Sequence, residues 1–171
     1  VRGVGTTAIE AIQQVGRPLE DLFDLCGNVD LQKVNRKVLE GLIHAGALDR
    51  LPGDRATQVA NLDRAIAWGQ KAARERQGGQ ESLFGGGAQA ALLKPPLIPA
   101  PPYDPLVQLN LEREAVGFFL CGHPFQEYRE LVAALPVCTV RDAAARGEGT
   151  RVDLVGVVTS HTKARDRHKR V

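Results

Sequence analysis

The chain has 171 residues, of which 43% are hydrophobic, and its net charge is +2. These values fit one globular domain, or two small ones joined by a linker, and they exclude a wholly disordered protein. The charge is too small to indicate a nucleic-acid partner by itself, and no apolar run approaches the roughly 18 residues of a membrane span, so no membrane partner is expected.

The first 76 residues carry the helical pattern of a compact domain. A tight glycine turn at residues 2–5 leads into a first helix, which Thr6 or Thr7 can cap. A second helix is predicted over residues 19–26 from its run of apolar side chains. A mainly α-helical architecture is therefore expected for this part of the chain.

Two further helices are predicted in the same domain. Asn35 caps the first of them, and its apolar residues recur at the spacing of a buried stripe: Val38, Leu39, Leu42 and Ile43. Residues 55–76 follow a Pro-Gly break and predict one long helix, in which Trp68 is a packing residue. Between these helices, residues 45–47 form a turn with a single glycine and the acidic neighbour Asp49, which we interpret as structural.

The glycine turn at residues 2–5 is the first candidate binding site. Glycines let the backbone approach a phosphate closely, and the free N–H groups at the start of the following helix point toward the anion. Such a contact grips phosphates without reading bases. The alternative is an ordinary turn at the entry of a helix. With the basic residues nearby, the candidate DNA-phosphate-binding residues are Arg2, Gly3, Val4, Gly5, Thr6, Lys33 and Arg36.

Residues 77–105 are predicted to form a flexible linker in two parts. In the first part, Gln80-Glu81-Ser82-Leu83-Phe84 stands between glycines, where no packed helix or strand is expected. An apolar pair on such a tether is typical of a short motif that a partner orders, and a chance pair that packs on its own domain is the alternative. The second part is rich in proline, which favours an extended, semi-rigid spacer.

Helical signals return over residues 106–149. A helix is predicted from about Leu109, with Glu112 and its charged neighbours in solvent, and it ends at Gly122-His123-Pro124. Residues 126–135 predict a further short helix. This part is therefore expected to be a helical connecting segment.

The pattern changes from residue 150 onward. Apolar side chains alternate over residues 152–158 as they do in a strand, and a basic turn with Lys163, Arg165 and Arg167 follows. A single open hairpin is marginal in water, so we expect the first strands of a truncated β-domain. The basic turn would suit a small barrel that contacts single-stranded nucleic acid, or it is a solvated hairpin.

No set of residues has the spacing of a catalytic site. The sequence contains no G-x-S-x-G, no G-x-x-x-x-G-K-[ST] and no carboxylate cluster spaced for two metal ions. Cys26, Cys121 and Cys138 lack C-x-x-C spacing, so neither disulfides nor a metal site is predicted. We therefore expect no catalytic residue, metal or cofactor in this chain, and free thiols in a reducing cytoplasm. Because the chain contains no methionine, we also expect a segment of a longer protein.

Several strings of residues occur in the order of one known family. They are Gly3-Val4-Gly5, Leu22-Phe23-Asp24-Leu25-Cys26, Val34 to Glu40, Ala45 to Asp49, and Glu112-Arg113-Glu114 through Gly122-His123-Pro124. Together they make the chain similar to the alpha subunits of bacterial DNA polymerase III, the C-family replicative polymerases, in their C-terminal half. The resemblance extends over nearly all of the 171 residues.

The resemblance implies a tandem helix-hairpin-helix domain over residues 1–76, which grips duplex DNA, and the start of an OB domain from about residue 150. It identifies Gln80, Leu83 and Phe84 with the internal motif that binds the sliding clamp (beta subunit). The parent protein would be a DNA-directed DNA polymerase, a nucleotidyltransferase, in contact with other replisome subunits. Its Mg-binding aspartates would lie upstream of Val1.

Three alternatives stay open from the sequence. A polymerase must show an acidic metal-binding set upstream, and a helix-hairpin-helix adaptor or repair scaffold need not. The related error-prone C-family polymerases share much of the pattern, although the motif at residues 80–84 and Gly122-His123-Pro124 favour the replicative branch. A purely structural spacer predicts that salt has little effect on DNA retention, whereas phosphate contacts predict a steep dependence on salt.

Overall fold

The computed structural model of the chain describes residues 1–77, 93–158 and 161–162, and it divides into two compact units, Val1–Cys121 and Gly122–Val171. All regular secondary structure in the described residues is helical, as the sequence predicts for most of the chain. Within these residues no helix is long and apolar enough to cross a membrane. The predicted domain of residues 1–76 and the helix that begins after residue 104 belong to the same unit.

Six α-helices form the described part of the first unit. They are α1 (Thr6–Gln13), α2 (Leu22–Asn28), α3 (Arg36–His44), α4 (Arg55–Ala60), α5 (Leu62–Gln77) and α6 (Pro105–Val116). The predicted cap Asn35 is confirmed, because its side chain accepts a hydrogen bond from the N–H group of Val38. The second helix begins three residues later than predicted, since Asp21 caps it by accepting from the N–H group of Asp24.

The core of this unit lies between α2, α3 and α5. Its largest fully buried apolar side chains are Phe23, Leu22, Leu25, Leu39, Ile43 and Leu62. Helices α2 and α5 approach closely because Gly69 faces the main chain of Cys26, where a Cβ atom would clash. The ring of Trp68 packs edge-on against Phe23, with 6.2 Å between the ring centroids, so its predicted packing role is confirmed.

The single long helix predicted over residues 55–76 is wrong, because the chain breaks at Asn61. The amide side chain of Asn61 is buried and pairs with the main chain of Ile98, donating to its carbonyl at 2.7 Å and accepting from its N–H group at 2.9 Å. Continuing the helix through residue 61 would stabilise the chain slightly through helix propensity. The two hydrogen bonds of the buried Asn61 amide contribute more to stability, so the helix breaks there.

The same contacts change the interpretation of the proline-rich part of the linker. Residues 96–100 lie along α4 and α5 rather than forming the predicted semi-rigid spacer, since Ala100 donates to the Thr57 hydroxyl at 3.1 Å. Just before them, Lys94 pairs with Asp21, the cap of α2, at 2.7 Å. Leu97 packs against the core. An extended proline-rich strand carries unpaired carbonyl groups, and here Asn61 and Arg64 bond to two of them.

The second unit contains a 3₁₀-helix (Pro124–Tyr128), α7 (Arg129–Ala133) and α8 (Val140–Ala145). The short helix predicted over residues 126–135 thus forms as two adjoining turns, while α8, capped by Thr139, was not predicted. The strand predicted over residues 152–158 does not form in the described part of this unit. A strand needs a ladder of hydrogen bonds from a partner strand. Here one main-chain bond, from Cys138 N–H to the Asp153 carbonyl, is described. The OB-like domain stays a prediction.

Candidate nucleic-acid interface

The first glycine turn, residues 2–5, is open at the surface. Gly3 has a φ of +75°, a conformation that favours glycine, and no atom lies within 4 Å of the position that a Cβ atom would take. Arg2, Gly3, Gly5 and Thr6 are exposed, while Val4 is half-buried against the core. A ligand can therefore approach this stretch of backbone without displacing a side chain.

The turn leads into an uncapped helix, and the cap predicted at Thr6 or Thr7 is wrong because both residues lie inside the helix. Helix α1 begins after Gly5, which offers no side-chain acceptor to the first turn, and no acidic residue occupies that turn. By contrast, α2, α3, α4, α6 and α8 each begin after a residue whose side chain accepts a hydrogen bond from the first turn. The amides and the positive end of the α1 dipole are thus free to meet an anion.

Contacts on two sides hold the turn in place. The N–H group of Arg2 donates to the Ala115 carbonyl of α6, with 2.7 Å between N and O. On the other side, the Arg2 carbonyl lies 3.7 Å from the position of a Cβ atom on Gly41, in the middle of α3. The Arg2 side chain forms no ion pair with any residue that the structure describes. No described carboxylate therefore neutralises the charge of Arg2, the first residue of the turn.

Lys33 and Arg36, the two other predicted cations, have carboxylate partners of their own. The guanidinium of Arg36 bonds to Asp63 and to Glu40, each at 2.8 Å, and the Lys33 ammonium lies 3.5 Å from Asp30. The two carboxylates raise the pKa of Arg36. Arg36 also lies five residues before Gly41, the residue of α3 that faces the Arg2 carbonyl. This spacing is about 7.5 Å along the helix axis.

In the second glycine turn, residues 45–47, side chains of this chain occupy the space beside the backbone. Gly46 has a φ of +77°, and a Cβ atom there would meet the guanidinium of Arg55 and an Oδ atom of Asp49, the latter at 2.9 Å. Arg55 is buried and donates to both carboxylate oxygens of Asp49, at 2.8 and 2.6 Å. It also donates to the His44 carbonyl at 3.1 Å. These bonds agree with the structural role predicted for this turn.

Glu112 completes this ion-pair cluster and is buried with Arg55, although the sequence predicted it in solvent. Its side chain is fully buried and accepts from Arg55 at 3.1 Å, from the Cys121 N–H group at 2.9 Å and from the Leu120 N–H group. Burial alone would raise the pKa of Glu112, but bonds from Cys121, Leu120 and Arg55 outweigh it and lower the pKa to about 2. Sequence periodicity missed it because its partner Arg55 is distant in sequence.

Two predicted sites lie outside the described residues. These are the clamp-binding residues Gln80, Leu83 and Phe84, and the possible single-strand contacts Lys163, Arg165 and Arg167. Both therefore stay predictions. In the part of the chain that the structure does describe, no group of three or more His, Cys, Asp or Glu side chains is placed to hold a metal ion.

Comparison with known proteins finds a motif family that includes both glycine turns. Residues 1–58 match the helix-hairpin-helix motif family, a stretch that includes both glycine turns. The DNA polymerase III subunit alpha of Vibrio cholerae is 35% identical over 162 residues, or 92% of this chain. That of Xylella fastidiosa is 38% identical over 84% of the chain, and that of Halalkalibacterium halodurans is 40% identical over 76%. The chain belongs to the DNA polymerase III alpha-subunit family.

The match to this family covers a small share of each relative. The chain spans 14% of the Vibrio cholerae subunit, 12% of the Xylella fastidiosa subunit and 11% of the Halalkalibacterium halodurans subunit. The family assignment therefore applies to this segment, and the helix-hairpin-helix match lies at residues 1–58. The resemblance inferred from the strings in the sequence is confirmed.

Proposed function

We propose that the chain is a non-catalytic DNA- and sliding-clamp-binding segment of a bacterial replicative DNA polymerase. The observation that carries the DNA-binding part is the turn at residues 2–5, which is open, glycine-built and followed by an uncapped helix within the helix-hairpin-helix match. Arg2, which has no ion-pair partner among the described residues, supplies a positive charge beside it. These are the features that a phosphate group requires and that a purely structural turn does not.

In this proposal the main chain of Gly5 and Thr6 donates hydrogen bonds to one phosphate of duplex DNA, and Arg2 adds a charged contact. Glycines at positions 3 and 5 leave room for the phosphate to reach the amides. Such contacts fix the position of the protein on the duplex without selecting a sequence. A polymerase segment needs this property, because it must move along any template.

The test is the affinity of the whole chain for a duplex of about 20 base pairs, measured by fluorescence anisotropy at several salt concentrations. Gly5 has a φ of −81° and a ψ of 164°, and a Cβ atom there meets only Thr7 Oγ1 at 3.8 Å, so Gly5→Ala leaves the fold intact. The added methyl group would obstruct the phosphate, and we expect an affinity loss of about tenfold, or about 1.4 kcal/mol.

Gly147→Ala is the matched control for this substitution. A Cβ atom at Gly147 meets nothing within 4 Å, and the residue lies in the second unit. We expect this variant to bind DNA as the parent chain does. Equal affinity of the parent chain and the Gly5→Ala variant, or an affinity that does not depend on salt, would contradict phosphate binding at this turn.

The clamp-binding part of the proposal rests on the sequence of residues 80–84. A glutamine amide would bond in one subsite of the clamp, while Leu83 and Phe84 would fill an apolar pocket, as in other short docking peptides. An affinity in the micromolar range, about −8 kcal/mol, is reasonable for so short a motif. This affinity suffices, because the tether raises the effective concentration of the motif near the clamp once the enzyme is on DNA.

Titration of the chain against the bacterial sliding clamp tests this part separately. We expect Phe84→Ala to weaken binding at least tenfold and the triple variant Gln80→Ala, Leu83→Ala, Phe84→Ala to abolish it. The Gly5→Ala variant serves as the control, since it alters only the DNA site. Unchanged clamp affinity in the triple variant would contradict the assignment.

The activity of the whole parent protein is also a proposal. The relatives are named DNA polymerase III subunit alpha, and this chain covers 11 to 14% of the Vibrio, Xylella and Halalkalibacterium subunits. We propose a DNA-directed DNA polymerase that uses Mg²⁺ held by carboxylates upstream. The full-length protein should extend a primer in the presence of Mg²⁺ and the four nucleotides, and this chain alone should not.

A further inference from the structure

Helix α6 contacts the phosphate-binding turn, although it lies outside the residues matched to the helix-hairpin-helix motif. The Ala115 carbonyl accepts from the Arg2 N–H group at 2.7 Å. The Arg2 guanidinium lies at the end of the same helix, where its Nη2 atom is 3.4 Å from the position of a Cβ atom on Gly117. Gly117 ends α6 in a left-handed conformation, with a φ of +104°.

The position of α6 is in turn fixed by Glu112. Glu112 and Ala115 are both buried and lie three residues apart, on one face of the helix. The carboxylate of Glu112 accepts from Arg55, in α4, and from the main chain of Leu120 and Cys121 just beyond α6. A continuous set of contacts therefore runs from Arg55 through Glu112 and α6 to Arg2.

We infer that Glu112 is a positioning residue for phosphate binding, acting through α6 on Arg2. The inference rests on the proposed function of the turn. By holding α6 against Arg55, Glu112 holds the Ala115 carbonyl and Gly117, and these contact the main chain and the guanidinium of Arg2, the first residue of the turn. A cation held in place before DNA arrives loses less rotamer freedom on binding a phosphodiester.

A double-mutant cycle on the whole chain tests this inference. Glu112→Gln keeps the shape of the side chain and removes the charge. We expect it to weaken binding of the same duplex by about fivefold and to reduce the salt slope by about one, the same changes that we expect from Arg2→Ala. In the Arg2→Ala background, the further loss from Glu112→Gln should be less than about twofold, because residues that act through one another are not additive.

Asp49→Asn is the matched control, since it removes the other carboxylate partner of Arg55 and leaves Glu112 in place. We expect its DNA affinity and salt slope to equal those of the parent. If Glu112→Gln does not fold, Ala115→Gly replaces it: this change weakens α6 while retaining every ion pair, and the same dependence on Arg2 is expected.

Two results would overturn the inference. An equal loss with and without the Arg2 side chain, or a loss with an unchanged salt slope, would show that Glu112 acts on stability alone. Undiminished affinity in both Gly5→Ala and Arg2→Ala would instead contradict the proposed function of the turn, and the inference would fall with it. The single variants thus distinguish the two failures.

Discussion

The two glycine turns of this chain share a backbone conformation and differ in what surrounds them. Gly3 and Gly46 have φ values of +75° and +77°. Nothing lies within 4 Å of a Cβ position on Gly3, whereas on Gly46 that position is crowded by Arg55 and Asp49. A glycine with positive φ therefore reports only how the backbone turns. Whether a ligand can reach that backbone depends on side chains far away in sequence.

The charges at the two turns differ in the same way. Arg2 has no ion-pair partner among the described residues, so it can neutralise an external anion. Arg55 is already paired with Asp49 and Glu112, and its pKa is raised chiefly by its bonds to Asp49. A basic residue beside a glycine turn is thus a ligand-binding group in one case and an internal counterion in the other.

The largest expected effect is on stability, from loss of the counterion at the second turn. Arg55→Ala would leave the carboxylate of Glu112 fully buried without its charged partner. We expect a decrease of about 3–5 kcal/mol in the free energy of unfolding, measured with urea. Lys33→Ala, at an exposed pair, should change it by less than about 0.5 kcal/mol. Similar decreases for the two variants would contradict the role of Arg55 as an internal counterion at the second turn.

The pH dependence of stability sharpens the same point. The pKa of Glu112 is lowered from 4.5 to about 2, so its contribution is fully present above pH 4.5 and is lost as the pH falls through 2. Between pH 5 and 2 the parent should lose about 3 kcal/mol more than Glu112→Gln. The pKa of Asp24 is lowered by its bond to Arg17, so Asp24 also makes stability depend on pH. Its contribution is the same in both proteins and cancels when the change in Glu112→Gln is subtracted from that in the parent. Parallel pH profiles would contradict a buried, ionised Glu112.

Alanine at the two turns should separate stability from binding. Gly46→Ala places a side chain in a left-handed backbone against Arg55, and we expect a decrease of about 1–3 kcal/mol in the free energy of unfolding. Gly5→Ala, at an ordinary φ but at the N-cap of α1, should change stability by less than about 1 kcal/mol while it weakens DNA binding. Thermal unfolding of both variants beside the parent decides this. Equal destabilisation would show that the first turn is structural too.

The smallest expected effect concerns Arg36. Because Asp63 and Glu40 already bind its guanidinium, Arg36→Ala should reduce duplex affinity by less than about twofold. Asp63→Asn, which releases one partner, should increase the affinity slightly. Anisotropy at low salt is the suitable measurement, since screening hides such differences at high salt. A tenfold loss in Arg36→Ala would place a phosphate contact at α3 as well.

Local signals in the sequence predicted the helical class, the cap at Asn35 and the turn at residues 2–5. Each depends on residues within a few positions of one another, where periodicity and capping rules apply. The break at Asn61, the docking of residues 96–100 and the burial of Glu112 were not predicted. All three depend on hydrogen bonds between distant segments: Asn61 with Ile98, Thr57 with Ala100, and Arg55 with Glu112.

In the candidate site, too, the sequence predicted the local features and missed those that depend on tertiary packing. The open backbone at Gly3 and Gly5 is a local property, and the sequence indicates it. The partners that engage Lys33 and Arg36, and the contact of Ala115 with Arg2, come from tertiary packing and leave no short-range signal. The family resemblance supplied the motif, but no pattern in the chain indicates that α6 adjoins it.

The most direct test of the account is an NMR titration of the whole chain with duplex DNA, following the backbone amides of both turns. If the first turn binds phosphate and the second is filled by Arg55, the amide signals of Gly5 and Thr6 should shift on addition of DNA, while that of Gly46 should not. A shift at Gly46 with no change at Gly5 and Thr6 would contradict it.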